Sequence, residues 1–117
     1  MSHPRRVVSF HLGNGSSVAA VKGGVAIDTS MGFTPLAGLV MGTRSGDIDP
    51  AVVTYLQRAE GWSAEEVDND LNRHSGLEGL AGRSDMRDLF EAAQAGDGEA
   101  HEAIDVWAWR ARHYFGA

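Results

Sequence analysis

The chain has 117 residues, no cysteine, and 10 Lys and Arg against 16 Asp and Glu, which gives a formal net charge of −6. The absence of cysteine excludes a disulfide framework and a thiolate metal site, and the acidic balance argues against non-specific nucleic-acid binding, which relies on a basic surface. The length is that of one domain or part of one, and no apolar run approaches the roughly 20 residues that span a bilayer, so we expect a cytoplasmic protein that binds neither membrane nor nucleic acid.

The first third of the chain predicts an antiparallel meander of three strands. Short apolar and β-branched runs extend over Val7–Leu12, Ser17–Lys22 and Val25–Thr29. The pairs Asn14-Gly15 and Gly23-Gly24 separate these runs, and such pairs are typical of hairpin turns.

The next segment, residues 30–48, predicts an ordered loop. It contains four glycines and shows no steady helical or strand period. We expect one short helical turn near Leu36–Met41. Long loops within compact domains are usually functional.

Two helices are predicted after this loop. Asp49-Pro50 supplies an N-cap and a first-turn proline for a helix that extends to about Glu60. The run Ser63-Ala64-Glu65-Glu66 matches a capping box. It opens a helix that extends to about His74 and ends at Gly76, since glycine commonly follows the last helical residue.

Two further helices are predicted in the last third. One starts after Ser84 or Asp85 and stops near Gly96, and the other extends from about Gly98 to Phe115. The apolar residues of the last helix are spaced by three or four, which predicts one buried stripe. They are Ala100, Ile104, Trp107, Ala111 and Tyr114.

Turn-forming residues, hydroxyls and an arginine are concentrated between residues 11 and 47. The run His11-Leu12-Gly13-Asn14-Gly15-Ser16-Ser17 is a turn of the kind whose successive N–H groups form a concave site for phosphate oxygens. Arg44 lies in the glycine-rich loop, and a guanidinium binds a carboxylate or phosphate through two hydrogen bonds. Two plainer interpretations stay open: the turn is an ordinary hairpin, or Arg44 is a loop arginine paired with Asp47 or Asp49.

Several short motifs, in order along the chain, resemble the acetate kinase (acetokinase) family. Four of them are His11-Leu12-Gly13-Asn14-Gly15, Asp28-Thr29-Ser30-Met31-Gly32, Phe33-Thr34-Pro35-Leu36 and the specific run Met41-Gly42-Thr43-Arg44-Ser45-Gly46-Asp47-Ile48-Asp49-Pro50. The runs Ser75-Gly76-Leu77 and Ser84-Asp85-Met86-Arg87 extend the resemblance over most of the chain. The resemblance implies an α/β fold of the actin, hexokinase and Hsp70 type (ribonuclease H-like), present in part. Residues 1–117 would form a single incomplete nucleotide-phosphate-binding domain in which a three-stranded antiparallel meander is followed by helices.

The family transfers the γ-phosphoryl group of ATP to acetate, giving acetyl phosphate and ADP, and also runs the reverse reaction. The residue-by-residue match implies a phosphate-binding turn at His11, Leu12, Gly13, Asn14 and Gly15, nucleotide contacts at Asp85, Met86 and Arg87, a catalytic arginine at Arg44, and a pocket for the acyl methyl at Pro35. The reaction requires Mg²⁺, for which we assign no ligand in this chain.

The chain also departs from the family pattern, and the departures lead to expectations about its activity and association. The resemblance covers a central part of a family member, and Ala37 stands where the family commonly has glutamate. We expect the isolated chain to be inactive, and we expect exposed sheet edges or apolar faces to cause self-association into a homo-oligomer, or marginal folding. Two alternatives remain, a propionate kinase segment and a truncated, non-catalytic remnant or interaction module.

Overall fold

The computed structural model describes residues 5–117. Three strands are followed by five helices, namely β1 (Arg6–Leu12), β2 (Ser16–Lys22), β3 (Val25–Thr29), α1 (Ala51–Ala59), α2 (Ala64–Arg73), α3 (Gly76–Ala81), α4 (Met86–Gln94) and α5 (Gly98–Gly116). None of the helices in this range is long and apolar enough to cross a bilayer.

The three strands form one antiparallel sheet in the order β1-β2-β3, which confirms the predicted meander. The β2–β3 turn consists of Gly23 and Gly24, with φ values of +58° and +81°, as a two-residue hairpin of the primed type requires. The β1–β2 turn has three residues, Gly13–Gly15, because Leu12 pairs with Ser16. None of these three has a positive φ, so the Asn-Gly pair predicted the position of this turn but not its geometry.

Side-chain caps are present at the starts of α2, α4 and α5. Ser63 Oγ accepts from Glu66 N at 3.1 Å while Glu66 Oε2 accepts from Ser63 N at 2.8 Å, which completes the capping box at α2. At α1 the prediction was wrong by one residue: Asp49 Oδ1 accepts from Ala51 N at 2.9 Å, but Pro50 is the N-cap residue and precedes the helix instead of lying in its first turn. Asp85 and Asp97 cap α4 and α5.

Two further predictions about local structure were wrong. No helical turn forms near Leu36–Met41, because Gly38 has φ +108° and bonds across the loop. Its amide donates to Asp47 Oδ1 at 2.8 Å, and Asp47 N donates to its carbonyl at 3.0 Å. Gly76, predicted to end α2, is instead the first residue of α3, a helix that we did not predict.

The core has two parts, and α5 contributes to both. One part packs α3 and α4 on α5, and its buried residues are Val40, Leu77, Leu89, Ala92, Ala100 and Ala103. The other packs the sheet on α5 through Val18, Leu39 and Ala111. Trp107 packs against both clusters, so the predicted stripe of α5 is the face that holds the sheet and the helices together.

Candidate functional site

The predicted phosphate-binding turn lies at the end of the β1–β2 hairpin. Gly13 N donates to Gly15 O at 3.0 Å, and Ser16 Oγ donates to Gly13 O at 3.4 Å. Within residues 5–117, the amides of Asn14 and Gly15 donate no hydrogen bond. Two of the three backbone amides of the turn therefore have no hydrogen-bond acceptor among these residues, and the third is used inside the turn.

The guanidinium of Arg44 lies directly against this turn. A Cβ built on Gly15 would come within 3.0 Å of Arg44 Nη1, so any side chain larger than that of glycine would have to displace the end of the arginine. Arg44 Nη1 also makes a long contact of 3.5 Å with Pro35 O. The catalytic arginine and the acyl-pocket proline predicted from the resemblance are thus neighbours beside the turn.

The plainer interpretation of Arg44, a pairing with Asp47 or Asp49, does not agree with the structure. Arg44 forms no salt bridge in the part of the chain that the structure describes. Asp47 instead accepts from Gly38 N and from the Tyr114 hydroxyl, and Asp49 accepts from Ala51 N. The positive charge of Arg44 therefore has no carboxylate partner among these residues.

Gly42 contacts both the Gly13–Gly15 turn and the residue before the cap of α4. It belongs to the loop of residues 41–45 that carries Arg44, called here the arginine loop. Its amide donates to Asn14 O at 3.3 Å. A Cβ there would come within 2.8 Å of Asn14 Oδ1 and 3.2 Å of Ser84 O. Sequence reasoning placed Gly42 in a motif without giving it this role, because the three segments that it joins are far apart in the chain.

The predicted nucleotide contacts lie at the N-terminus of α4. Asp85 accepts from Arg87 N at 2.8 Å and pairs with the Arg87 guanidinium at 2.8 Å. The hydrogen bonds from the side chain and backbone of Arg87 hold the pKa of Asp85 at about 2. The same carboxylate raises the pKa of Arg87. Asp85 is thus an ionised helix cap, and the side chain of Arg87, 88% exposed, is held next to it.

One cavity of about 760 Å³ joins the turn to these contacts. Its lining includes Leu12, Gly13 and Asn14 on one side and Asp85, Met86 and Arg87 on the other. The apolar part of its wall, which sequence reasoning did not identify, is formed by Met41, Leu77, Phe90, Ile104, Trp107 and Ala108. His11, Gly15, Pro35 and Arg44 are not part of this lining. The exposed His11 pairs with Ser17 in the hairpin, and its Nε2 would lie 3.7 Å from a Cβ on Gly13.

This arrangement suits an anionic ligand that also has an apolar part. Free backbone amides and an unpaired guanidinium bind oxyanions; Asn14 lines the cavity, whereas Arg44 lies outside the lining, against Gly15. The cavity has the size of a small-molecule site. Among the residues that the structure describes, no group of three or more His, Cys, Asp or Glu could hold a metal ion.

Comparison with known proteins gives the same family over nearly the whole chain. The model of the Acetokinase family matches residues 2–117. The acetate kinase of Micrococcus luteus is 59% identical over 109 residues, which are 93% of this chain and 28% of that protein. The crystal structure of Porphyromonas gingivalis acetate kinase superposes with a TM-score of 0.92 at 43% identity, over 96% of this chain and 28% of that one.

A propionate kinase from Francisella tularensis matches equally well in structure, with a TM-score of 0.92 at 49% identity over 93% of this chain and 28% of that one. The chain therefore spans about 28% of the length of the relatives that it matches. The likeness confirms the predicted fold class, an α/β part of an actin- and hexokinase-type, ribonuclease H-like domain. On these grounds the chain belongs to the acetokinase family.

Proposed function

We propose that this chain contributes to the active site of a kinase that transfers the γ-phosphoryl group of ATP to acetate, giving acetyl phosphate and ADP, and that also runs the reverse reaction. Residues 1–117 would be part of one nucleotide-phosphate-binding domain. The observation that carries the proposal is the position of the Arg44 guanidinium, which lies against Gly15 and has no carboxylate partner within residues 5–117.

Each predicted site residue has a role in this proposal. The amides of Asn14 and Gly15 bind phosphate oxygens, with His11, Leu12 and Gly13 forming the rest of the turn. Asp85, Met86 and Arg87 contact the nucleotide across the cavity. Pro35 lines the pocket for the acyl methyl, and Arg44 is the catalytic residue.

The chemistry explains why an arginine belongs at this point. A carboxylate oxygen of acetate attacks the γ-phosphorus while the bond to the β-phosphate oxygen breaks, and ADP leaves with the electron pair. Negative charge is spread over the three equatorial oxygens in the transition state. A guanidinium stays charged throughout and donates to two oxygens at once, so Arg44 stabilises this charge. Mg²⁺ supplies further charge neutralisation when bound to ATP, and we assign it no ligand among the described residues.

The test is a chimera in which this chain replaces the matching segment of the Micrococcus luteus acetate kinase, which is 59% identical. We expect the chimera to form acetyl phosphate, measured as its hydroxamate. Arg44→Lys should lower kcat at least about 100-fold, because lysine cannot bind two oxygens in the same plane. The control is Arg58→Lys on the exposed face of α1. Near-normal turnover of Arg44→Lys would exclude the role of Arg44.

The isolated 117-residue chain is assayed for the same reaction alongside the chimera. Because relatives of this family are more than three times as long, we expect no turnover with ATP, Mg²⁺ and acetate. Robust turnover by the 117 residues alone would reverse this expectation.

Propionate is the second candidate substrate, since the Francisella tularensis propionate kinase superposes as closely as the acetate kinase does. One methylene in an apolar pocket changes binding by about 1–3 kcal/mol, or roughly 10- to 200-fold. The ratio of kcat/KM for acetate and propionate in the chimera decides between the two.

A further inference from the structure

The loop that carries Arg44 is held by α2, α3 and the corner between them. Backbone and side-chain groups of residues 41–45 bond to residues 71–78. The bonds run from Ser45 N to Leu71 O (2.9 Å), Thr43 Oγ1 to Asn72 O (3.0 Å), Ser75 N to Thr43 O (2.9 Å), Leu77 N to Met41 O (2.9 Å) and Glu78 N to Gly42 O (3.0 Å). Residues 41, 42, 43 and 45 are thus each hydrogen-bonded to the segment that extends from the end of α2 into α3.

Gly76 allows this contact to be so close. It has φ +63°, and a Cβ there would clash with the carbonyl oxygen of Met41 and lie 2.6 Å from that of Arg44 itself. The amides of Leu77 and Glu78, in the first turn of α3, donate to the carbonyls of Met41 and Gly42, and the Ser75 side chain makes no cap. The arginine loop therefore serves as the N-terminal cap of α3.

Thr43 makes the one side-chain hydrogen bond in this set. Among the residues that the structure describes, the guanidinium of the next residue, Arg44, makes polar contacts only with Pro35 O at 3.5 Å and Met41 Sδ at 3.8 Å. Those two contacts are weak. The direction of the guanidinium therefore depends mainly on how its backbone is held.

We propose that Thr43 is a positioning residue for Arg44, whose hydroxyl anchors the arginine loop to the end of α2 and so keeps the guanidinium beside the Gly13–Gly15 turn. The expected effect on kcat rests on the proposed function. The expected loss of order in the Arg44 side chain when the Thr43 hydroxyl is removed is independent of that function.

The kinetic test uses Thr43→Val, which keeps the shape and removes the hydroxyl, and Thr43→Ser, which keeps the hydroxyl. In the chimera we expect Thr43→Val to lower kcat about tenfold, since small misplacements of a catalytic group have such effects. The KM for ATP should stay within about twofold, because the group acts in the transition state. Thr43→Ser should restore kcat.

A second background separates positioning from general stability. In Arg44→Lys, which lacks the guanidinium, Thr43→Val should lower kcat no further, because residues that act as a unit are not additive. An equal fall in both backgrounds, or unchanged kcat in Thr43→Val alone, would overturn the proposal.

A measurement without turnover distinguishes failure of this proposal from failure of the proposed function. In the 117-residue chain, the ¹⁵N–¹H heteronuclear NOE of the Arg44 Nε–Hε group, assigned by its loss in Arg44→Lys, reports the order of the side chain. We expect a lower NOE in Thr43→Val and an unchanged one in Thr43→Ser. An inactive chimera would count against the proposed function, whereas an unchanged NOE in Thr43→Val would overturn the role of Thr43.

Discussion

Glycine is required at position 76 for two separable reasons, its backbone conformation and the space around it. A left-handed conformation costs an L-residue about 1–2 kcal/mol. Gly82 has a similar φ, +74° against +63°, but a Cβ on Gly82 would meet nothing within 4 Å. The pair therefore separates backbone strain from the contact with the arginine loop.

We predict that Gly82→Ala lowers the free energy of unfolding by about 1–2 kcal/mol, and that Gly76→Ala lowers it by a further 1–3 kcal/mol or so, as overpacking does. Urea denaturation of the 117-residue chain followed by circular dichroism measures both changes. Equal losses in the two variants would show that the loop moves away at little cost, and that the tight contact at Gly76 does not hold it.

At the scale of elements, α5 is tied to the loop that precedes α1 by a bond between Tyr114 and Asp47. The Tyr114 hydroxyl donates to Asp47 Oδ2, while Asp47 Oδ1 accepts from Gly38 N. Partial burial, and next the bond to the Asp47 carboxylate, raise the pKa of Tyr114 from 10.0 to about 12. Because the folded pKa is the higher one, the stability from this group is fully present below pH 10 and is lost as the pH rises through about 12.

We predict that Tyr114→Phe lowers the free energy of unfolding at pH 8 by about 1 kcal/mol, a value reduced for solvent screening because the site is only partly buried. This difference from the parent should shrink between pH 10 and 11.5. Urea denaturation across this range measures it. The matched control, Tyr55→Phe, removes a hydroxyl from a residue that is 61% exposed and should change stability at pH 8 by less than about 0.5 kcal/mol. An equal effect of the two variants would argue against the bond.

The elements with strong local signals were predictable from the sequence. The strands follow β-branched runs between glycine turns, and α2, α4 and α5 begin at side-chain caps that lie within three residues of the amides they bind. By contrast, α3 has glycine at positions 76 and 79 of its six residues, which disfavours a helix. The amides of Leu77 and Glu78 in its first turn donate to Met41 O and Gly42 O, more than thirty positions earlier. Tertiary contacts, which no local pattern reveals, therefore decide whether it forms.

The candidate site, too, was predictable from the sequence only in part. The motifs around Asn14, Arg44 and Asp85 identified the residues to consider, because their order along the chain resembles one family. The contacts that bring these residues together pass through Gly42 and Ser84 O, and the apolar wall of the cavity comes from α3, α4 and α5. Those neighbours depend on how the helices pack, so the sequence alone indicated the chemistry but not the cavity.

The whole molecule exposes more surface than a compact domain of its size. Its radius of gyration is 16.1 Å, whereas a compact chain of this length has about 13.4 Å. Its accessible surface is 8143 Å², against about 6,200 Å² for a typical monomer of its mass. The shape is flat, with principal extents of 56 × 37 × 20 Å, and many large apolar side chains are exposed on its surface.

Much of that apolar surface lies on the two outer strands of the sheet. Every residue of β1 and β3 is exposed, and Val25 and Ile27 are 64% and 63% exposed. Within residues 5–117, β1 and β3 each pair with β2 alone, so both leave an unpaired edge. Edges of this kind, together with exposed apolar side chains, promote association between chains.

We predict that the 117-residue chain self-associates, and that the double variant Val25→Lys and Ile27→Lys reduces the association. Sedimentation velocity between about 5 and 200 μM measures both, because an equilibrium between chains shifts with concentration.

Two added lysines change the net charge from −6 to −4, which lowers general repulsion and by itself would favour association. The control is Tyr55→Lys with Leu80→Lys, which makes the same change of charge at exposed apolar residues of α1 and α3 and should not reduce association. A single monomeric species at every concentration, with a sharp cooperative melt, would contradict the prediction, and equal effects of the two double variants would show that the sheet edge is not the contact.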